Sequence, residues 1–194
     1  MPPDLLEQEI DRCLERLEHP FGVNLITIAP YFQQHMEIVA AKDVPMVIFA
    51  GNFPHRRDVK KMKEAGKKVA SFASTTSIAD QQIRFGADAL ILEGSEAGGH
   101  IGAVSTTVLL QQVLFQDPGV PVFVAGGIAT GRMIGHLLLM GAAGAQLGTR
   151  FAMSEECQAH PVLKERFRKA RAREAVQTPA LDRRRLPVVA VRAL

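Results

Sequence analysis

"VPVFVAGGI", residues 120–128, is the stretch of sequence that decides the fold. Its first six residues are all apolar, and the run ends in two glycines and an isoleucine. A strand that is apolar on both faces must be covered on both faces, which is typical of a parallel sheet flanked by helices. The stretch therefore predicts a buried strand of an α/β protein, followed by a glycine turn.

The same alternation of a short apolar run with a helical pattern extends outward from this stretch. "ADALILEG" (residues 87–94), for example, predicts a strand, and residues 106–115 predict the helix that follows it. Six runs are predicted to be strands: residues 21–29, 45–51, 68–75, 87–94, 120–128 and 143–151. Their starts are about 20–35 residues apart, as strand–helix repeats require. No linker-like composition divides the chain, so we predict one domain over residues 1–194 with an irregular tail at 174–194.

The placement of glycines distinguishes two ways of arranging such a sheet. A doubly wound dinucleotide-binding fold needs G-x-G-x-x-G after its first strand, and "GVNLITIAP" (residues 22–30) contains no such motif. The glycine-rich loops instead follow the last three predicted strands, and a (β/α)8 barrel builds its phosphate site after its last strands. We therefore predict an α/β fold of the TIM (β/α)8-barrel type, with six of the eight strand–helix units present.

Composition and charge are those of an ordinary globular protein. Of 194 residues, 47% are hydrophobic and 22% are charged, and the formal net charge is +3. The basic excess near the C-terminus fits a solvated amphipathic helix better than a nucleic-acid site. Cys13 and Cys157 lack metal-ligand spacing, so no metal site is expected. Because no apolar run reaches bilayer length and the N-terminus is acidic, we expect a cytoplasmic protein without a membrane partner.

Three glycine-rich loops at strand ends are candidates for binding an anion. They read "EGSEAGGHIG", "AGGIATG" and "QLGTRF". Glycine lets backbone N–H groups approach a ligand, and a helix N-terminus behind the turn adds partial positive charge. Gly126–Gly127 together with Gly148–Thr149 are therefore predicted to cradle one phosphate. A purely steric reason for each glycine remains the alternative.

Four polar residues lie in or beside these strands, and each has two interpretations. His100 either caps the following helix or moves a proton near neutral pH, since an unperturbed imidazole has a pKa of about 6.5. Asn24 lies in an apolar strand, and Glu93 and Gln146 lie at strand ends. Each of these three side chains serves either an internal hydrogen-bond network or a ligand.

Four segments taken in order resemble the nitronate monooxygenase family, formerly called 2-nitropropane dioxygenases. They are "PFGVNL", "EGSEAGGHIG", "VPVFVAGGIATGRM" and "GAAGAQLGTRFAMSEECQAHP". That family shares its fold and motifs with the FMN-dependent enoyl-acyl-carrier-protein reductases. The resemblance implies a TIM barrel that binds FMN without covalent attachment.

The resemblance also implies roles for individual residues. His100 matches the catalytic histidine of the family, the proposed base for a neutral nitroalkane or a hydrogen-bond partner of the substrate. The cofactor-binding residues implied by the matching motifs are Asn24, Glu93, Gly98, Gly99, Gly126, Gly127, Gln146, Leu147, Gly148 and Thr149. The implied reaction oxidises alkyl nitronates with dioxygen to carbonyl compounds and nitrite.

Two other functions remain open at this point. One is an FMN-dependent enoyl-acyl-carrier-protein reductase, which takes an enoyl thioester and NAD(P)H, and the other is an inactive barrel remnant. Relative to the family, the first two strands of the barrel are missing, so we expect weak or no FMN binding unless those strands are supplied. The expected partners are a small-molecule substrate and dioxygen, and homo-oligomerisation is left open.

Overall fold

The computed structural model describes residues 1–179 and 187–191, and it shows strands alternating with helices along most of this length. The elements are α1 (Pro3–Arg16), β1 (Gly22–Ile26), α2 (Phe32–Ala41), β2 (Met46–Ala50), α3 (Arg56–Glu64), β3 (Lys68–Ala73), α4 (Thr76–Phe85), β4 (Ala89–Glu93), β5 (Gly99–His100), α5 (Thr106–Leu114), β6 (Val122–Ala125), α6 (Gly131–Leu139), β7 (Gly144–Gln146), α7 (Thr149–Ala152), α8 (Pro161–Lys169), a 3-10 helix (Ala172–Glu174), β8 (Ala175–Pro179) and β9 (Pro187–Val191).

Six of the described strands form one sheet in the order β1-β2-β3-β4-β6-β7. The pairs β1–β2, β2–β3 and β6–β7 are parallel, and Asn24 of β1 lies opposite Ile48 of β2. Parallel neighbours that follow one another along the chain, each joined by a helix, are the repeating unit of a (β/α) barrel. The predicted α/β class with six strand–helix units is confirmed.

The chain divides into two compact units, and the first comprises Met1–Ile91 and Pro118–Pro121. Helices α1 to α3 and strands β1 to β3 bury their apolar side chains together in this unit. The buried cluster consists of Ile10, Leu25, Phe32, Met36, Val39, Val44, Val47, Phe49, Val59, Met62 and Val69.

Asp88 fixes the turn that leads into β4. Its carboxylate accepts hydrogen bonds from the backbone N–H of Val69, at 2.8 Å, and from the ammonium group of Lys63, at 2.7 Å. Burial favours the neutral acid, but these donors outweigh it and lower the pKa of Asp88. One carboxylate therefore ties the start of β4 to both β3 and α3.

The second unit comprises Leu92–Asp117 and Val122–Leu194. It contains β6, β7 and a small antiparallel sheet of order β5-β9-β8. In that sheet Gly99 pairs with Val189 and His100 pairs with Val188. The described part of the predicted irregular tail thus includes two strands, and β9 pairs with the glycine loop that follows β4.

The last parallel strand is shorter than the sequence predicts. β7 ends at Gln146, and the last three residues of the predicted strand 143–151 lie in the one-turn helix α7. Gly148, before α7, has φ −106° and ψ −66°, which already turns the backbone out of the strand conformation. In a short apolar run, hydrophobic periodicity alone does not separate a strand from a single helical turn.

Helix ends follow local capping rules. Gly86 ends α4 in the left-handed conformation, at φ 101°, as its glycine predicts. His160 precedes α8, and its Nδ1 accepts a hydrogen bond from the backbone N–H of Val162 at 3.2 Å, which caps the helix. Within the described ranges, none of these helices is both long enough and apolar enough to cross a membrane.

Candidate functional site

The glycine loop after β4 begins with a glycine that packing requires. A Cβ on Gly94 would collide with the backbone nitrogen and side-chain oxygen of Thr106, the first residue of α5. The backbone N–H of Ser95 then donates to the carbonyl of Val104 at 2.9 Å. These contacts close the base of a loop that carries Gly98, Gly99 and His100.

Glu96 lies in this loop and caps α5 from outside the helix. Its Oε2 accepts hydrogen bonds from the backbone N–H of Thr106, at 2.8 Å, and from the Thr106 hydroxyl, at 2.7 Å. The Ser95 hydroxyl donates to the same oxygen at 3.3 Å. Burial raises the pKa of this carboxyl, but the hydrogen bonds outweigh burial and the net pKa is lowered. Sequence reasoning missed Glu96, because its partner lies ten residues further along the chain.

The glycine pair after β6 packs against this same loop. Gly126 and Gly127 both have positive φ, at 98° and 68°. A Cβ on Gly126 would lie 2.8 Å from the Cα of Ala97, and one on Gly127 would lie 3.1 Å from the Cβ of Glu96. The steric reason left open for these glycines therefore applies, and their predicted contact with a phosphate stays a prediction.

Gly98 and Gly148 differ from that pair. Among the described residues, and apart from the adjacent ones in the chain, no atom lies within 4 Å of a Cβ built on either residue, and neither has a positive φ. Neither backbone conformation nor packing within the described chain therefore requires glycine at these two positions. A ligand that approaches the backbone closely is a physical reason for omitting a side chain there.

Two helix N-termini beside these loops keep unpaired N–H groups. Thr130 caps α6 by accepting from the backbone N–H of Met133 at 3.2 Å. Within the described residues, the N–H groups of Gly131 and Arg132 have no acceptor, and neither does that of Thr149 at the start of α7. Such donors, together with the helix dipole, favour an anion. At α5, by contrast, the carboxylate of Glu96 already occupies one N–H group.

Arg150 joins the loop after β7 to the loop after β6. Its Nε donates a hydrogen bond to the carbonyl oxygen of Ala129 at 2.8 Å. The predicted contact residues Gln146, Leu147 and Thr149 lie on the chain just before it, with Gln146 and Thr149 exposed and Leu147 half-buried. The structure thus brings the two predicted phosphate loops together, through an arginine that the sequence pattern did not single out.

Glu93 ends β4, and its carboxyl group binds a proton more tightly than an ordinary glutamate does. Its side chain is half-buried and has no hydrogen-bond or ion-pair partner among the described residues. Burial without a partner raises the pKa of Glu93 to about 7. The group can therefore gain or lose a proton near neutral pH, which suits either a ligand hydrogen bond or acid–base chemistry.

The two other predicted site residues, Asn24 and His100, lie in different units. Asn24 lies in the first unit, in the middle of β1, and its side chain is exposed. His100 lies in the second unit in β5, where its backbone pairs with Val188, and its side chain lies outside the described part of the structure. The catalytic role of His100 stays a prediction.

Comparison with known proteins identifies the family. Residues 26–187 match the sequence model of the nitronate monooxygenase family. A curated relative from Mycobacterium tuberculosis, (3aS,4S,5R,7aS)-5-hydroxy-7a-methyl-1-oxo-octahydro-1H-indene-4-carboxyl-CoA dehydrogenase, is 34% identical over 94% of this chain and 52% of its own length.

Solved structures agree with this match. FabK from Thermotoga maritima superposes with a TM-score of 0.91 at 38% identity, covering 98% of this chain and 60% of FabK. Nitroalkane oxidase from Streptomyces ansochromogenes superposes with a TM-score of 0.84 at 26% identity, covering 97% of this chain and 66% of that protein. The chain spans about half the length of the curated relative above. From its matched sequence and its fold, the chain belongs to the nitronate monooxygenase family.

Proposed function

We propose that this chain is the FMN-binding part of an oxidoreductase that oxidises alkyl nitronates with dioxygen. The observation that carries the proposal is the family match over residues 26–187, which includes the three glycine loops. Gly98 and Gly148 support it, because both are glycines although the described protein leaves room for a side chain at each position.

The residues present fit FMN at the ends of β4, β6 and β7. The unpaired N–H groups of Gly131 and Thr149 are suited to its phosphate, with Gly126–Gly127 forming the turn before α6. Gln146 and Leu147, which precede Gly148 on the chain, are further proposed contacts. Asn24 lies in the first unit, and its predicted role in cofactor binding stays a prediction. When bound, FMN supplies the redox chemistry of the reaction.

His100 and Glu93 are the side chains proposed to transfer protons and to orient the substrate. We assign His100 the role of taking a proton from a neutral nitroalkane, or of donating a hydrogen bond to a bound nitronate. Glu93 ends the strand before this loop, and its raised pKa lets it exchange a proton in the same pH range. The products are a carbonyl compound and nitrite.

A second candidate is reduction of an enoyl thioester with NAD(P)H. The observation that favours it is the superposition on FabK, at higher identity than on the nitroalkane oxidase. Both reactions use the same flavin site, so site geometry does not separate them. The proposed substrate is a small molecule in either case.

Flavin binding and substrate oxidation are tested on the same purified chain. FMN is titrated while its fluorescence quenching is followed, and oxygen uptake with an alkyl nitronate is compared with NAD(P)H oxidation in the presence of an enoyl thioester. Saturable quenching with nitronate-dependent oxygen uptake supports the first proposal. NAD(P)H oxidation alone supports the second. Absence of quenching at micromolar FMN agrees with the weak FMN binding expected from the sequence; it contradicts both proposals for this chain and favours the inactive remnant.

A further inference from the structure

The loop between β4 and α5 pairs with β9 through the backbone of Gly99 and His100. Near its start, the loop also contains a side chain with no assigned role that contacts α5. Residues 95–104 carry Gly98, Gly99 and His100, and a backbone hydrogen bond from Ser95 to Val104 closes the base of this loop. Beyond that bond, Glu96 makes the side-chain contacts between the loop and α5. A loop with two adjacent glycines loses much conformational entropy when it is ordered, so each such contact matters for its position.

Helix α5 depends on Glu96 for its N-terminal cap. Ser105, at the N-cap position, makes no side-chain capping hydrogen bond. The carboxylate of Glu96 takes that place by accepting from both the N–H and the hydroxyl of Thr106, which is buried. A negative charge at a helix N-terminus is stabilised by the helix dipole, and charge-assisted hydrogen bonds are the stronger kind.

The same residue also contacts the loop after β6. The Cβ of Glu96 lies 3.1 Å from the position that a Cβ on Gly127 would take, so the two loops are closely packed there. The Cα of the neighbouring Ala97 lies 2.8 Å from the position that a Cβ on Gly126 would take. Glu96 therefore lies at the meeting point of three elements: its own loop, the first turn of α5 and the glycine pair before α6.

We propose that Glu96 is a positioning residue, which holds the loop carrying Gly98, Gly99 and His100 in the conformation that binds the flavin. The inference rests on the proposed flavin site. The role assigned to Glu96 is to accept hydrogen bonds, since its Oε2 accepts from three donors. It acts through the backbone that it fixes.

Four variants isolate this role. Glu96→Ala removes all three hydrogen bonds, and Glu96→Gln keeps an acceptor oxygen without the charge. Thr106→Val removes one donor, and Thr106→Ser retains it. Thr107→Val, at an exposed position one residue along the same helix, is the matched control.

Two measurements are made on the full chain. Amide hydrogen exchange is followed without flavin for residues 95–104, and the Kd for FMN is obtained by fluorescence titration. We expect Glu96→Ala to raise exchange in this loop and to raise the Kd at least about tenfold, the factor for losing one charge-assisted hydrogen bond. Glu96→Gln and Thr106→Val should raise the Kd less, by about threefold. Thr106→Ser and Thr107→Val should match the wild type.

A double variant tests whether the two residues act together. If Thr106 orders the loop through Glu96, the Kd of Glu96→Ala with Thr106→Val should be close to that of Glu96→Ala alone. Exchange that rises only in α5, with the loop and the Kd unchanged, would overturn the proposal and leave Glu96 as a helix cap. If the wild-type chain binds no FMN, the proposed function fails, while loop exchange in Glu96→Ala still decides whether Glu96 positions the loop.

Discussion

Replacing three glycines one at a time by alanine separates the reasons for which glycine occupies each position. Gly126 combines φ +98° with a site where a Cβ would lie 2.8 Å from backbone atoms of Ala97. Gly86 has φ +101° but open space around an added Cβ. Gly148 has φ −106° and open space. An alanine at Gly126 would therefore be strained and would also collide with its neighbours. An alanine at Gly86 would only be strained, and one at Gly148 would be neither strained nor in collision.

These differences give an ordered set of stability changes. A left-handed conformation destabilises a residue with a Cβ by about 1–2 kcal/mol. Replacing glycine by alanine also reduces the conformational entropy of the unfolded chain, which stabilises the fold by about 0.4–1 kcal/mol. We expect Gly86→Ala to lower the free energy of unfolding by about 1 kcal/mol. Gly126→Ala should lower it by about 2–4 kcal/mol, because the collision with backbone is added. Gly148→Ala should change it by less than about 0.5 kcal/mol.

Urea denaturation followed by circular dichroism measures the stabilities, and fluorescence titration measures the Kd for FMN. We expect Gly148→Ala to raise the Kd at least about tenfold at unchanged stability, because its methyl group would fill space needed by the ligand. Gly86→Ala is the control and should leave the Kd unchanged. Wild-type FMN affinity in Gly148→Ala, or a stability loss as large as that of Gly86→Ala, would refute the argument that a ligand requires this glycine.

Three further predictions concern charged groups. Since folded Glu93 holds its proton up to pH about 7, wild-type stability should fall as pH rises from about 4.5 to 7, and Glu93→Gln should lose this slope. The variant should be more stable at pH 8 by about 2 kcal/mol, after allowance for partial exposure, and equal denaturation midpoints at pH 8 would contradict this. Arg150→Met should raise the Kd for FMN about three- to tenfold, while the free energy of unfolding changes by less than about 1 kcal/mol. The Kd of Arg150→Lys should lie between those of the wild type and Arg150→Met. Asp88→Asn should lower the free energy of unfolding by about 1–2 kcal/mol at pH 7. Because the pKa of Asp88 is lowered in the fold, the difference in stability between wild type and variant should shrink as pH falls through the acid range. A constant difference down to pH 3 would contradict the pairing of Asp88 with Lys63 and Val69.

The fold was predictable because each strand is a nearly continuous apolar run. β4 and β6 lie inside the predicted stretches 87–94 and 120–128, and each predicted run contains one strand of the sheet. The ends were less predictable, and β7 shows why. A run such as "QLGTRF" satisfies a strand and a helical turn equally, and backbone angles at Gly148 decide between them.

The candidate site was predictable as a set of loops but not as a set of contacts. Sequence position marks Gly98, Gly126 and Gly148 as similar strand-end glycines, yet only neighbours in space show that Gly126 packs against another loop and the other two do not. Glu96 and Arg150 were missed for the same reason. Their partners lie 10 and 21 residues away, and no local motif encodes such a pairing.

The pairing of β9 with β5 has a practical consequence for anyone who expresses this protein. Residues 187–191 look dispensable in the sequence, and trimming a charged tail is a common first step towards better-behaved material. Here the trimmed residues would include Val188 and Val189, the backbone partners of His100 and Gly99. A chain shortened in this way would leave β5 without its neighbouring strand β9. A change in the flavin affinity of the shortened chain would then reflect the loss of β9 as well as the properties of the site. Affinity tags are better placed at the N-terminus, and truncations are better ended after residue 191.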